Sequence, residues 1–104
     1  MIYHLAMRAD WEHARAEGAY TTSTRGRTLF EEGFIHASTA AQVAGTYQRF
    51  YADTDAGEVV LLLIDEERLR APVVVEQLGD VAEAYPHVYG PIGLDAVVEV
   101  RPYP

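Results

Sequence analysis

A run of six apolar residues in the middle of the chain, Val59–Ile64, constrains the fold most strongly. The run is continuously hydrophobic and rich in β-branched side chains, so it lacks the alternation of a strand that has one face in water. We therefore expect a central β-strand that is buried on both faces. At this length the run is also far too short to span a bilayer, which takes roughly 20 apolar residues.

Shorter strands and helices surround this central strand in the sequence. We predict strands at residues 2–5, 34–37, 73–77 and 97–101, and helices at residues 9–17, 29–32 and 40–51. Because strands and helices do not alternate strictly, we expect an α+β fold with a mainly antiparallel sheet and short helices. The length of 104 residues predicts one domain that covers residues 1–104.

The charge balance and the missing residue types exclude several kinds of partner and site. All eight basic residues are arginines and the formal net charge is −8, so an extended nucleic acid is not an expected partner. Without lysine and cysteine, the chain can form no Schiff base, disulfide, thiolate nucleophile or cysteine-ligated zinc site. Arginine can still bind one carboxylate or phosphate in a cleft. We recognise no signal peptide and no membrane span, and we expect a cytoplasmic protein.

Three histidines lie in short apolar or aromatic segments. They are His4 in the first strand, His36 in the strand after Gly33, and His87 two residues before Tyr89. Since the ordinary pKa of histidine lies near neutral pH, these three are our candidate catalytic residues, and we expect them to line one cleft. One alternative is that each only ties a strand to a nearby carbonyl. A three-histidine zinc site is another alternative, but the short His-x-His or His-x-x-x-His spacings are missing, so we predict no metal.

Two polar segments flank these histidines. Ser38 and Thr39 open the predicted helix, where Thr39 and Gln42 match a capping box and where unpaired helix amides can bind an anion. The polar stretch at residues 20–27 predicts a loop that can close over a cleft. Arg25, in that loop, is our candidate for contact with an anionic ligand.

The segments Ile-Tyr-His-Leu at 2–5, Gly-Phe-Ile-His-Ala-Ser-Thr at 33–39 and Pro-His-Val-Tyr-Gly-Pro-Ile at 86–92 resemble the signatures of a bacterial family, domain of unknown function 952. That family is similar in fold to the ADP-ribosylation superfamily. The resemblance implies a split, mainly antiparallel sheet and a cleft that holds NAD in active members. It also implies that His4 contacts the cofactor ribose and that Tyr47, on the next helix, stacks on nicotinamide.

The sequence departs from the active members of that superfamily at important positions. We find no clear counterpart of their catalytic glutamate on a late strand, and the third signature offers His87 and Tyr89 instead. Ala44 occupies a position where many relatives have serine. The resemblance therefore leaves open whether the chain is an enzyme.

Three functional hypotheses remain after this reading. In the first, a cleft lined by histidine and tyrosine binds or processes NAD or a related nucleotide-like small molecule. The second is an enzyme that uses histidine acid–base chemistry on another small molecule without NAD. The third is a non-catalytic module that binds a partner or dimerises, so the chain is either a monomer or a homodimer. In addition to the three candidate catalytic histidines, we predict six ligand-binding residues: Tyr3, Ser38, Thr39, Tyr47, Tyr89 and Arg25.

Overall fold

The computed structural model describes residues 1–78 and 82–104. The strands of this part of the chain are β1 (Ile2–Met7), β2 (Ala19–Tyr20), β3 (Thr22–Thr24), β4 (Arg27–Thr28), β5 (Ile35–His36), β6 (Val59–Ile64), β7 (Val73–Glu76), β8 (Tyr85–Val88), β9 (Ile92–Gly93) and β10 (Val97–Pro102). The α-helices are α1 (Arg8–Glu17), α2 (Leu29–Glu32) and α3 (Val43–Phe50). Short 3₁₀ turns lie at Ala40–Gln42, Glu66–Arg68 and Leu94–Ala96.

The predicted central strand, β6, is the middle strand of an antiparallel sheet with the order β1-β6-β10. All six of its residues are buried, because successive side chains point to opposite faces and each face packs on its own core cluster. Val60, Leu62 and Ile64 join one cluster, and Val59, Leu61 and Leu63 join the other. The prediction of a strand buried on both faces is confirmed.

A second antiparallel sheet, with the order β5-β8-β7, carries two of the predicted histidines. One of its faces packs on the core through Ile35 and Val88, both fully buried. The two sheets are linked where Tyr3 and Ser38 exchange backbone hydrogen bonds of 2.9 and 2.7 Å. Since every strand pair of the described residues is antiparallel and the helices are short, the predicted α+β class is confirmed.

Helices α1 and α2 lie where the sequence predicts, whereas the helix predicted at residues 40–51 is divided into a 3₁₀ turn at Ala40–Gln42 and α3 at Val43–Phe50. Helix α1 buries Trp11 and Ala14 and ends at Gly18, whose φ of 94° places it in the left-handed region that favours glycine. Helix α2 begins with a capping box between Thr28 and Glu31. No helix in residues 1–78 and 82–104 is long and apolar enough to cross a membrane.

The prediction of a loop at residues 20–27 is wrong. Residues of this stretch form the ends of β2 and β4 and all of β3, and β3 and β4 pair as a hairpin. Tyr20 and Ser23 are almost completely buried. The Ser23 hydroxyl can be buried because it donates a hydrogen bond to the Phe34 carbonyl. Because these two residues belong to the interior, we withdraw the idea that the stretch closes over a cleft as a free loop.

Candidate functional site

A cavity of about 250 Å³ is lined by residues of both three-stranded sheets, of β3 and of α3. Three predicted catalytic residues, His4, His36 and His87, lie in its wall together with Ser38, and we call it the histidine cavity. Phe50, which is 52% exposed, also lies in its wall, so the cavity opens to solvent. The structure therefore brings together residues from three segments that are far apart in sequence.

The alternation of the second sheet explains this convergence. His36 and His87 are cross-strand partners in β5 and β8, and Glu76 of β7 is the partner of Tyr85. Tyr85 and His87 are two residues apart in one strand, so they project from the same face. The face opposite the buried residues of this sheet thus presents two imidazoles, a carboxylate and a phenol to the cavity.

His87 is held by a carboxylate and an aromatic ring. Its Nδ1 lies 2.9 Å from Oε2 of Glu76, and its ring stacks on Phe34 with 4.1 Å between centroids. Glu76 also accepts a hydrogen bond from the Tyr89 hydroxyl. The donors Tyr89 and His87 stabilise the charged carboxylate, and they lower the pKa of Glu76 below its ordinary value.

The protonation of His87 follows from this contact. An ionised carboxylate can only accept hydrogen bonds, so the Nδ1 atom of His87 carries the proton. The other ring nitrogen, Nε2, has no hydrogen-bond partner among the residues that the structure describes. His87 is therefore an imidazole with a fixed orientation and with one nitrogen available to a ligand.

His36 lies beside His87 with the two rings nearly perpendicular and 5.3 Å apart between centroids. Partial burial lowers the pKa of His36 below its ordinary value, and the neighbouring His87 lowers this pKa further. Its Nε2 lies 3.5 Å from Oε1 of Glu32. The other carboxylate oxygen of Glu32, Oε2, forms an ion pair of 3.0 Å with Arg27. His36 is thus neutral at pH 7 and stands at the edge of the cavity, with 42% of its side chain exposed.

His4 uses both of its ring nitrogens within the fold. Its Nδ1 donates a hydrogen bond to the carbonyl of His36, and its Nε2 accepts one of 2.9 Å from the Tyr20 hydroxyl. This tautomer is required because a carbonyl can only accept. Burial lowers the pKa of His4 to about 4. Since neither nitrogen remains for a ligand, the implied contact of His4 with a cofactor ribose is not supported by the geometry.

Tyr47 lies outside the histidine cavity, contrary to expectation. Its ring packs on Tyr103 at 5.1 Å, and both rings lie against the core cluster that includes Val59, Leu61 and Leu63 of β6. Tyr47 is not among the residues that line the cavity, so its stacking on a ligand stays a prediction from the resemblance alone.

The other predicted binding residues are also engaged elsewhere. The side chain of Tyr3 packs beside the same core cluster as Tyr47. The Thr39 amide donates to Oε1 of Gln42 at 3.0 Å, so the predicted capping box uses this donor. Arg25 forms an ion pair of 2.6 Å with Asp53. Of the predicted ligand-binding residues, only Ser38 is among the residues that line the cavity. Tyr89 does not line it, but its hydroxyl donates a hydrogen bond to the wall residue Glu76.

Sequence analysis missed several residues that the structure places in the cavity wall. Besides Glu32 and Glu76, these are Thr46, Arg49 and Tyr85. Oγ1 of Thr46 lies 3.2 Å from Oγ of Ser38. The spacing of Thr46 and Arg49, three residues apart on the polar side of the helix, was the available signal for a second functional face.

Among residues 1–78 and 82–104, no group of three or more histidine, aspartate or glutamate side chains has the arrangement of a metal site.

The fold of this chain is similar to a solved structure. The X-ray structure of protein CC0527 from Caulobacter crescentus matches with a TM-score of 0.80 and 26% sequence identity, over 97% of this chain and 83% of that chain. A double mutant of the same Caulobacter protein matches over the same shares, with a TM-score of 0.80 and 25% identity. No match is found among curated proteins. The model of a family of proteins of unknown function, DUF952, matches residues 5–100, and the chain therefore belongs to that family.

Proposed function

We propose that the histidine cavity binds a small molecule and that His87, oriented by Glu76, transfers a proton to or from it. The observation that carries this proposal is the contact of 2.9 Å between Nδ1 of His87 and the Glu76 carboxylate. It leaves the second ring nitrogen as the acceptor for a proton of the ligand. A base that is itself oriented by a third group is the common arrangement in general acid–base catalysis.

The proton transfer is balanced within this pair. A ligand X–H group gives its proton to Nε2 of His87, and the X–H bond breaks as the N–H bond forms. The imidazolium that results keeps its Nδ1–H bond to the Glu76 carboxylate, whose negative charge stabilises it. In the return step Nε2 gives the proton back to the ligand, and the enzyme is restored. The hydroxyls of Ser38 and Thr46 supply further hydrogen bonds that can orient the ligand.

The geometry favours a compact ligand over a complete dinucleotide. The cavity volume of about 250 Å³ is below the roughly 300–1,000 Å³ of sites for drug-sized ligands. It suits one ring or a short-chain metabolite. The two side chains that the sequence resemblance assigned to NAD, His4 and Tyr47, are engaged in the fold. We therefore prefer acid–base chemistry on a small metabolite to cleavage of NAD.

Binding of NAD or a related nucleotide is our second candidate. It is supported by the resemblance to the ADP-ribosylation superfamily, which rests on the sequence alone, and by a cavity large enough for a nicotinamide ring. A cytoplasmic location and the choice between monomer and homodimer remain predictions.

A ligand screen by NMR tests the proposal. NAD, ADP-ribose, nicotinamide and a panel of small metabolites are titrated, and the ring signals of His36 and His87 are followed. Ligands that shift these signals are then incubated in D₂O, where proton transfer by the protein exchanges a carbon-bound ligand hydrogen for deuterium. We expect Glu76→Gln to slow this exchange about 10- to 100-fold, in the lower range of general acid–base effects. His13→Gln, at an exposed histidine of α1, is the matched control and should change nothing.

Two results would contradict the proposal at different levels. If ligands bind but wild-type protein exchanges none of their hydrogens, the site binds without proton transfer, and the non-catalytic hypothesis is correct. If no member of the panel moves the signals of His36 or His87, the proposal of a ligand site is wrong.

A further inference from the structure

Arg49 differs from the other arginines of the chain in its surroundings. Six arginines lie within 4.0 Å of a described carboxylate, namely Arg15, Arg25, Arg27, Arg68, Arg70 and Arg101. Arg8 donates to the Gly57 carbonyl. Arg49 has no carboxylate partner among residues 1–78 and 82–104, although the chain contains 16 acidic residues, and it is the arginine that lines the histidine cavity.

The two carboxylates in the cavity wall already have positive or hydrogen-bonding partners. Glu32 pairs with Arg27 at 3.0 Å and lies 3.5 Å from His36. Glu76 accepts hydrogen bonds from His87 and from Tyr89. Each of these carboxylates therefore has partners of its own, and neither forms an ion pair with Arg49 in the part of the chain that the structure describes. The cavity wall thus holds a guanidinium that has no carboxylate partner among the described residues, in a protein whose net charge is −8.

The guanidinium of Arg49 is held in one position at the cavity. Its Nη2 donates a hydrogen bond of 2.6 Å to the Tyr85 hydroxyl, and its central carbon lies 5.8 Å from the centroid of the Tyr85 ring. One donor is used in this contact, so the planar group retains other N–H groups for a ligand. Guanidinium binds carboxylate and phosphate oxygens through two parallel hydrogen bonds.

The same strand relates Arg49 to the proton-transfer residue. Tyr85, which holds Arg49, and His87 are two residues apart in β8 and line the same cavity. Two residues of a strand span about 7 Å. A compact molecule can therefore place one end at the guanidinium and the other at the imidazole.

We propose that the ligand of the histidine cavity carries a carboxylate or phosphate group and that Arg49 binds this group. The inference rests on the proposed function for the location of the site, and it adds the chemical class of the ligand. The ligand is thus a small organic acid or phosphate monoester that also carries a transferable proton.

Matched pairs of neutral and anionic probes test the assignment. Nicotinate and benzoate are compared with nicotinamide and benzamide, and inorganic phosphate is titrated separately, with the amide signals of Thr46, Arg49 and Tyr85 followed by NMR. We expect the carboxylates to bind about tenfold more tightly than their amides, and Arg49→Gln to abolish this preference. Arg8→Gln, at the other arginine that pairs with no carboxylate of residues 1–78 and 82–104, is the control and should retain it. Phosphate should displace the carboxylates in competition if both oxyanions use the same guanidinium.

The outcomes separate this inference from the proposed function. Equal affinity for carboxylates and amides, or a preference that survives Arg49→Gln, overturns the role of Arg49 and leaves proton transfer by His87 intact. A preference lost in Arg49→Gln, together with no exchange of carbon-bound hydrogen in any metabolite of the panel that binds, supports the anion site and contradicts the proton transfer. If neither the carboxylates nor phosphate shifts the cavity signals at about 10 mM, a concentration that detects millimolar affinity, the inference is wrong.

Discussion

Acidification should destabilise the protein through His4. In the native state burial lowers the pKa of this imidazole to about 4, while its ordinary value is 6.5. Between these two values the unfolded chain binds a proton that the native protein does not, so the free energy of unfolding rises with pH. The stabilisation is complete above pH 6.5 and is lost as the pH falls through 4.

The size of this effect follows from the two pKa values. A difference between 6.5 and about 4 corresponds to a total of about 3 kcal/mol, at 1.36 kcal/mol for each pKa unit. The proton-linkage relation between pH and stability predicts that about 2 kcal/mol of this free energy of unfolding is lost between pH 7.5 and pH 5. No correction for solvent screening is needed because His4 is only 3% exposed.

Urea unfolding at pH 7.5 and pH 5 measures this contribution when wild type is compared with His4→Gln. Glutamine can still accept the hydrogen bond from the Tyr20 hydroxyl, but it does not titrate. The wild-type free energy of unfolding should therefore fall by about 2 kcal/mol more than that of the variant over this interval. His13→Gln, at an exposed histidine, should behave like wild type.

Equal pH dependence in wild type and His4→Gln would refute the reasoning. The tautomer supplies an independent check that needs no variant. Nitrogen-15 NMR of the imidazole ring should show a proton on Nδ1 and none on Nε2 at pH 7, because Nδ1 faces the carbonyl of His36. A proton on Nε2 would show that the hydrogen bonds of His4 are arranged differently in solution.

Two further predictions concern the core and the wall of the cavity. Leu62→Ala, in the fully buried centre of β6, should lower the free energy of unfolding by about 2–5 kcal/mol in urea, and a loss below about 1 kcal/mol would show that the core collapses around the missing atoms. Tyr89→Phe removes a hydrogen bond that lowers the pKa of Glu76, so carbon-13 NMR of the carboxyl group should show a higher pKa. An unchanged pKa would mean that the Tyr89 contact does not form in solution.

The elements that sequence analysis predicted well have strong local signals. The apolar run of β6 leaves no polar face, and the ends of α1 and α2 are marked by Gly18 and by the Thr28 capping box. Such signals need no knowledge of the rest of the fold. The hairpin of β3 and β4 has no such signal, because its buried residue Ser23 is polar and becomes satisfied only by the distant Phe34 carbonyl.

The cavity was predictable only in part for a related reason. The three histidines are visible in the sequence as polar residues in apolar strands, and the structure places all three at one cavity. Their chemical differences depend on partners from other strands, since Glu76 meets His87 through sheet pairing and Tyr20 meets His4 from β2. Tyr47 shows the opposite failure. Its helix has two faces that suit burial, and the sequence does not say which one meets the cavity.

The hydrogen bonds of the two buried histidines distinguish a structural role from a chemical one. His4 and His87 are both only 3% exposed, so burial alone does not separate them. His4 has protein partners at both nitrogens, and a ligand could reach it only by breaking a hydrogen bond of the fold, which leaves a buried polar group unpaired. His87 has a partner at one nitrogen only among the described residues, and that partner is an anion which stabilises the protonated ring. A ligand can thus reach the free nitrogen of His87 without any loss of native contacts, whereas at His4 it would have to break a hydrogen bond of the fold.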